Sequence, residues 1–566
     1  MPDRPLSPAV YSLNILHIND THSRVDPEEW TVKIDGRETK IQLGGMARLI
    51  NAIEEEKKTK NHVLFLHAGD TYPGTLYFVH YQGAAERDFL NLMAPDAMVA
   101  GNHEFDQGAA FLGRFINELH FPVLSANTQA NPESGLHGKI PPYLTKEIKS
   151  RKIGIIGLTT VETRHASSPG SQVSFQDPLV AADRYCRDLE KQGINKIIIL
   201  SHLGFAMDRK LAQAVSGIDI IVGGHSHTPM GNFKRFGIDA VNAYPWIEKS
   251  PDGSMVLIVQ AWEWAKVLGS INLQFDANGH ITGYDGRPKL IVGPPFRQRW
   301  QDTNGDGTVD ASDQYTEITP QNAPERYQSI VRFIKEDETV GYYKEHEAAK
   351  VLRDQYARGL EDLRKTVAAV ALENLSGKGS NCGAGPLVAD SMLWKTKAFG
   401  AVMAVENVRA LRSEITKGDI TIGRIYELLP FRNKLVLIDL GAAEIKQVLE
   451  EAIDHSWRKI GYGEGKYVYI SGVKCRVDLS KTMGERVSGI AVKIDGAYGP
   501  LKESHKYRVV TNSFLAAGGD NYRTFKAATS RQETDFIDAE VFLEYVKKLR
   551  TLVNPSEARL IMEDGG

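Results

Sequence analysis

Between Tyr11 and about Arg287 the chain alternates short apolar runs with amphipathic stretches, a pattern that confines it to sheet packed by helices. Strand-like runs are expected at Leu13–Ile18, Val63–Leu66, Ala97–Ala100, Ile153–Leu158, Ile197–Leu200, Ile218–Val222 and Met255–Gln260. Five of them release a polar cluster straight after the last apolar residue. The clusters are Asn19-Asp20-Thr21-His22, Gly69-Asp70, Gly101-Asn102-His103-Glu104-Phe105-Asp106, Ser201-His202-Leu203-Gly204 and Gly223-Gly224-His225-Ser226-His227. Carboxyl ends of buried strands are where open α/β sheets collect their chemistry. An Asn/Asp helix cap would account for the hexapeptide Gly101–Asp106 by itself. It does not account for four further clusters of the same kind, and all five are expected to aim at one edge of one sheet.

Imidazole and carboxylate together suit Zn, Mn, Fe or Co, and the absence of cysteine from the clusters argues against a structural zinc. Two ions sharing a bridging carboxylate take about seven or eight protein ligands and leave positions for water and substrate. Composition adds bounds. At 566 residues the chain exceeds one core and should form at least two domains. A net charge of -3, with no basic block, argues against a nucleic-acid surface. No apolar run reaches membrane-span length. The N-terminus lacks the features of a signal peptide, so the chain is expected to be cytoplasmic or already processed. Cys186, Cys382 and Cys475 lie far apart, without metal-ligand spacing.

The five clusters, in this order, resemble the calcineurin-like metallophosphoesterase signature, and Ile18–His22 with Gly101–Asp106 resemble its 5'-nucleotidase branch. The resemblance runs over nearly the whole chain. It implies an α/β fold with an N-terminal metallophosphoesterase β-sandwich flanked by helices, a linker helix and a C-terminal α+β substrate-binding domain, with boundaries at 1–295, 296–365 and 366–566. It implies that Asp20, His22 and His227 hold one metal and Asn102, His202 and His225 the other, with Asp70 bridging. His103, oriented by Asp106, would stabilise charge on the phosphate, and a metal-bound water or hydroxide would attack phosphorus. The expected activity is hydrolysis of nucleoside 5'-monophosphates or related nucleotides. The alternatives are a different ester (a nucleotide diphosphate-sugar, cyclic nucleotide or sulfur ester) and a non-catalytic calcium-dependent binding protein. The expected partner is a small-molecule phosphoester, with no nucleic acid and no membrane span. Family habit favours a periplasmic or secreted location.

Asp302-Thr303-Asn304-Gly305-Asp306-Gly307-Thr308-Val309-Asp310-Ala311-Ser312-Asp313 carries oxygen ligands at EF-hand positions one, three, five, nine and twelve, a glycine at six, and the Thr308 carbonyl at seven. Asp302, Asn304, Asp306, Thr308, Asp310 and Asp313 are therefore expected to hold a structural calcium. Asp313 replaces the usual Glu, as in dockerin-like loops, and Gly293-Pro294-Pro295 blocks a preceding helix. Pro324–Arg364 reads as long helical stretches linking the domains. Beyond it, helices are expected at Gly385–Lys397 and Ala442–Asp454 and strands at Lys434–Asp439 and Tyr507–Thr511. Three segments resemble the 5'-nucleotidase substrate domain. They imply that Phe431 and Phe514 sandwich a nucleobase, Asp520 accepts from ribose, Asn433 reaches the base and Arg409 binds an anion. Two departures stand out. Ala404–Arg409 replaces the family's Asn-Gly-Gly-Gly-x-Arg with a chain that includes Glu406, and the arginine pair near Leu375–Gly385 is missing. Both are expected to weaken binding of a multiply charged nucleotide.

Overall fold

Along the Ile197–His202 strand, Ile198 and Leu200 enter one core while Ile197 and Ile199 enter another. Residues alternate between the two faces of a strand, so both faces here are covered. The computed structural model describes residues 10–240, 243–375, 380–456 and 468–563, apart from the side chains of residues 165, 166 and 535. The chain divides into two units, one of Met1–Pro73, Tyr81–Arg164 and Pro169–Ala357, the other of Gly74–His80, His165–Ser168 and Arg358–Gly566.

The first unit is built on two large sheets, with a small two-stranded sheet of Thr128–Ala130 and Val173–Phe175 beside them. In one, Tyr11–Ile18, Val63–His67, Ala97–Val99 and Val123–Leu124 run parallel, and Val267–Phe275 joins Tyr11–Ile18 antiparallel. In the other, Arg151–Thr159, Ile197–His202, Ile220–Val222 and Met255–Val259 run parallel. The core between them takes Leu13, Ile15, Leu64, Leu66 and Val99 from the first sheet and Ile155, Ile198, Leu200 and Val222 from the second. Helices Pro178–Lys191 and Phe205–Ala214 cover the far face of the second sheet through Ala181, Cys186, Leu189 and Leu211. The polar clusters therefore leave two sheets, not one as expected. Those at Asp20, Asp70 and Asn102 follow strands of the first, and those at His202 and His225 belong to the second.

The stretch Pro324–Arg364 also differs from its expected helical reading. Helices Pro324–Lys335, Glu347–Gly359 and Glu361–Lys365 are present, but Val340–Tyr342 is a strand paired in parallel with Lys289–Gln298. Val340 packs with Ile330 and Ile334 in a core of the first unit. A β-branched residue with a buried strand beside it gains more from the ladder than from helix propensity.

In the second unit a five-stranded sheet orders Tyr469–Ser471, Ala401–Glu406, Lys506–Asn512, Lys434–Gly441 and Arg531–Ile537. Ala404, Leu435, Leu437 and Val510 face a core with helices Ala384–Thr396 and Asp538–Leu549. Val405, Val436, Ile438 and Val509 face another, with helix Ala442–Asp454. No helix among the described residues is long and apolar enough to cross a membrane.

One contact in the first unit tests its packing. His17 lies fully buried opposite Gly269, its Nε2 2.8 Å from the Tyr244 hydroxyl. Burial holds its imidazole down at about 3, so it is neutral in the folded chain. A Cβ at Gly269 would overlap the His17 ring. Gly269→Ala is therefore expected to lower stability by about 1–3 kcal/mol, read as a fall in the urea midpoint at unchanged slope.

Candidate metal centre

Three of the five polar clusters leave their strands through a backbone that most side chains avoid. Asp20, His22, Asp70, His225 and His227 have φ of 49°, 46°, 57°, 74° and 48°. Left-handed backbone at a non-glycine residue costs energy and persists where the surroundings enforce it. Here the enforcement is visible. Asp20 N–H donates to Gly69 O at 2.9 Å and His22 N–H to Asp70 O at 3.1 Å, which laces the first two clusters together. The buried Glu104 carboxylate accepts from the N–H groups of Asp70, Thr71 and Gly101 at 2.9, 2.7 and 2.6 Å, tying the second cluster to the third. The His225 N–H reaches Asp20 Oδ2 at 3.0 Å, which brings in the other sheet. At Gly69 (φ 86°) a Cβ would lie 2.8 Å from Gly101 N and from His202 Nδ1, so the approach needs glycine.

The side chains assemble into two groups, Asp20/His22/His227 and Asp70/His202/His225, the ligand atoms within each lying no more than 4.8 Å apart. In the first, His22 Nε2 is 3.1 Å from His227 Nε2, and Asp20 Oδ1 is 3.3 Å from His227 Nε2. In the second, Asn102 Oδ1 is 3.2 Å from His202 Nε2 and 2.8 Å from His225 Nδ1. Asp70 Oδ2 faces both groups, at 3.7 Å from His22 Nε2 and 3.1 Å from His202 Nε2.

The outer nitrogens of the histidines explain why these atoms converge. Nδ1 of His22 donates to Pro73 O at 3.0 Å, Nδ1 of His202 to Ala68 O at 2.7 Å, and Nδ1 of His227 to Glu263 Oε2 at 2.8 Å. Each bond keeps a proton on Nδ1 and leaves Nε2, facing inward, as the atom that can carry either a proton or a metal ion. The His22 and His227 Nε2 atoms, 3.1 Å apart, repel unless a proton or a cation lies between them. Burial holds the His22 imidazole well below its ordinary range. Burial also works against charge on His202 and His227, yet the Asp70 and Asp20 carboxylates outweigh it and hold these two up at about 10 and about 9. Burial would raise Asp70, but His202 and the other imidazoles around it pull it well below the usual carboxylate range. The pocket thus demands positive charge, and its nitrogen and oxygen donors without sulfur fit divalent transition metals.

His103 stands beside both groups. Its Nδ1 lies 2.6 Å from Asp106 Oδ2, its backbone N–H donates to Asp70 Oδ1 at 3.0 Å, and its ring meets that of His22 edge-on at 5.3 Å. Two residues without an expected role belong to the same assembly, Glu104 and Glu263. The first lies inside a recognised motif, but its carboxylate serves backbone amides that no spacing rule identifies. The second is separated from every cluster and carries no motif at all.

The expected calcium loop is an exposed excursion between strands Lys289–Gln298 and Thr316–Ile318. Asp302 accepts from the N–H groups of Gly305 and Gly307 at 2.6 and 2.9 Å, Asn304 from Asp306 at 3.0 Å, Asp306 from Thr308 at 2.9 Å, and Asp310 from Ser312 at 2.7 Å. The buried Asp313 accepts from Thr303 and Asp310 at 2.6 and 2.9 Å. These carboxylates are not among the convergent groups found in the described residues.

In the second unit the expected substrate residues gather at one edge of the five-stranded sheet. Arg409 follows the Ala401–Glu406 strand, Phe514 and Asp520 follow the parallel Lys506–Asn512 strand, and Phe431 and Asn433 precede the antiparallel Lys434–Gly441 strand. The Phe431 ring lies 5.0 Å from the Arg412 guanidinium, and Phe514 packs on Gly519, where a Cβ would be 2.5 Å from the ring. The Asn433 side chain bonds to Asp538. Asp520 accepts from Asn407 Nδ2 at 2.7 Å and lies 3.3 Å from His455 Nε2. Burial would raise its carboxyl, but His455 and Arg409 hold it low. Glu406 is fully buried, accepts from Asn407 N–H at 2.9 Å, and burial together with the nearby Asp538 pushes its carboxyl well above the ordinary range.

The calcineurin-like phosphoesterase model matches residues 13–229 and the 5'-nucleotidase C-terminal domain model residues 365–527. A Treponema pallidum relative named "Probable 5'-nucleotidase" is 34% identical over 553 residues, covering 95% of this chain and 92% of its own. The human (Homo sapiens) 5'-nucleotidase is 30% identical over 581 residues, covering 98% and 92%. A 5'-nucleotidase precursor from Thermus thermophilus superposes with a TM-score of 0.79 at 36% identity, covering 98% of this chain and all of that one. With the fold, both matched regions and relatives of nearly full length in agreement, the chain belongs to the 5'-nucleotidase family, with a calcineurin-like phosphoesterase domain and a 5'-nucleotidase C-terminal domain.

Proposed function

We propose that this protein is a metal-dependent phosphoesterase that releases phosphate from nucleoside 5'-monophosphates or closely related nucleotides. The observation that carries the reading is Asp70 Oδ2 facing two convergent ligand groups at once. Asp20, His22 and His227 would hold one ion, Asn102, His202 and His225 the other, and Asp70 both. The two divalent cations would lower the pKa of water and neutralise charge on the phosphoryl oxygens. The protein's own contribution begins with His103. With Nδ1 committed to Asp106, its work on a phosphoryl or ester oxygen falls to Nε2, a preorganised donor where charge develops. The nearby Asp70 contact through the His103 N–H fixes the ring relative to the ligand groups.

The second unit supports the nucleotide part of the reading. Phe431 and Phe514 offer π-faces for a nucleobase, the ionised Asp520 accepts from ribose hydroxyls, Asn433 reads the base edge and Arg409 takes an anionic group. In the loop at Asp302–Asp313 we assign a structural calcium, supported by the twelve-residue spacing and by side-chain oxygens already turned inward onto backbone amides.

Three outcomes follow. Phosphate release from AMP, other monophosphates, ADP, ATP, UDP-glucose, cyclic AMP and nitrophenyl phosphates should favour the monophosphates, and His103→Ala should cost about 100-fold or more in kcat at unchanged metal content. Activity confined to nitrophenyl esters would discard the nucleotide. Metal uptake should release protons, because the ions displace those held at neutral pH by His202 and His227; affinity should therefore tighten as pH rises toward 9, measured by calorimetry in buffers of different ionisation heat. Calcium should raise the Tm of the wild type by a few degrees and leave that of Asp302→Ala unmoved, with activity retained in both.

A further inference from the structure

Of the three histidines whose outer nitrogen is fixed, two donate to backbone carbonyls and one to a carboxylate. That carboxylate, Glu263, is itself held from several sides. Its Oε1 lies 3.4 Å from Lys266 Nζ, and the same ammonium reaches Glu28 Oε2 at 2.9 Å. Lys266 is 3% exposed and sits among the rings of Trp30, Trp262 and Trp264, at 5.7, 4.6 and 4.4 Å from their centroids. An ammonium enclosed by π-faces and two carboxylates cannot move without breaking several favourable contacts. The backbone is equally constrained. Trp262, Trp264 and Ala265 have φ of 55°, 58° and 58°, a run of left-handed residues that the chain would not adopt unaided.

What enforces this turn is the cluster that contains Asp20. Trp264 N–H donates to Asp20 O at 2.7 Å, Asn19 Nδ2 donates to Trp262 O at 2.6 Å, and Ala261 N–H donates to Asn19 Oδ1 at 2.7 Å. The loop that carries Glu263 is thus clamped to the loop that carries Asp20, and Glu263 spans from there to His227. Asp20 and His227 belong to the same ligand group. In the other group, His202 donates to a neutral carbonyl instead.

We infer that Glu263 is a positioning residue for one ion only, accepting the His227 Nδ1 proton so that Nε2 is presented to the ion held with Asp20 and His22. It touches neither substrate nor ion. Its carboxylate strengthens His227 as a donor and prevents the ring from turning, and removing such a partner typically weakens metal binding about 10–100-fold. Lys266 and its tryptophan rings keep the carboxylate aimed.

The inference rests on the two-ion reading, and the test separates the two. Full-length protein stripped of metal is titrated with Co2+ and the stepwise affinities are read by calorimetry, with bound metal counted. Wild type should take up two ions. Glu263→Ala should weaken one of the two steps by about 10–100-fold and leave the other near its wild-type value. Glu263→Gln keeps an acceptor oxygen for His227 and should recover most of the loss. Wild-type protein that binds fewer than two ions overturns the two-ion reading and this inference with it. Two ions in the wild type with both steps unchanged in Glu263→Ala, or an equal loss in the Ala and Gln variants, overturns the role of Glu263 alone.

Discussion

The assembly depends on one carboxylate held between two sheets. Asp70 leaves the end of a strand in the first sheet, yet its Oδ2 lies as close to His202 of the second sheet as to any ligand of its own. Burying an ion there is costly unless opposite charge faces it, and the His202 imidazole, 3.1 Å from Asp70 Oδ2 and held protonated by it, supplies that charge. The geometry in turn needs Gly69, whose missing side chain lets Gly101 and His202 approach, and Glu104, whose carboxylate gathers three amide N–H groups from two loops. Moving any one of these displaces Asp70 relative to both ligand groups.

The candidate ligands were legible in the sequence because each lies at or directly after the end of an apolar strand. Their distribution over two sheets was not legible. Periodicity identifies a strand but not its partner, and Tyr11–Ile18 pairs with Val267–Phe275, a neighbour remote in the sequence. The same limit explains Val340–Tyr342, three residues inside a helical pattern that pair with Lys289–Gln298. Glu263 had no signal, since what makes it significant is its distance from His227 across 36 positions. A composition reading could not reveal the upward push on the Glu406 carboxyl, because it comes from burial and from the buried Asp538, itself pushed up to about 7 by desolvation.

The two units handle buried polarity differently. Around Asp70 carboxylates and imidazoles alternate, so the site attracts cations. At the edge of the five-stranded sheet the carboxyls of Glu406 and Asp538 are driven toward the neutral form while Asp520 stays ionised beside Asn407, His455 and Arg409. That arrangement leaves one anionic acceptor beside a guanidinium and amide and imidazole groups, chemistry suited to sugar hydroxyls and a base edge rather than to a metal.

Electron paramagnetic resonance of the protein fully loaded with Mn2+ tests the shared carboxylate most directly. Two manganese ions joined through Asp70 should give an exchange-coupled spectrum that Asp70→Ala abolishes. A spectrum of isolated six-line ions at full occupancy, identical in wild type and variant, would contradict it.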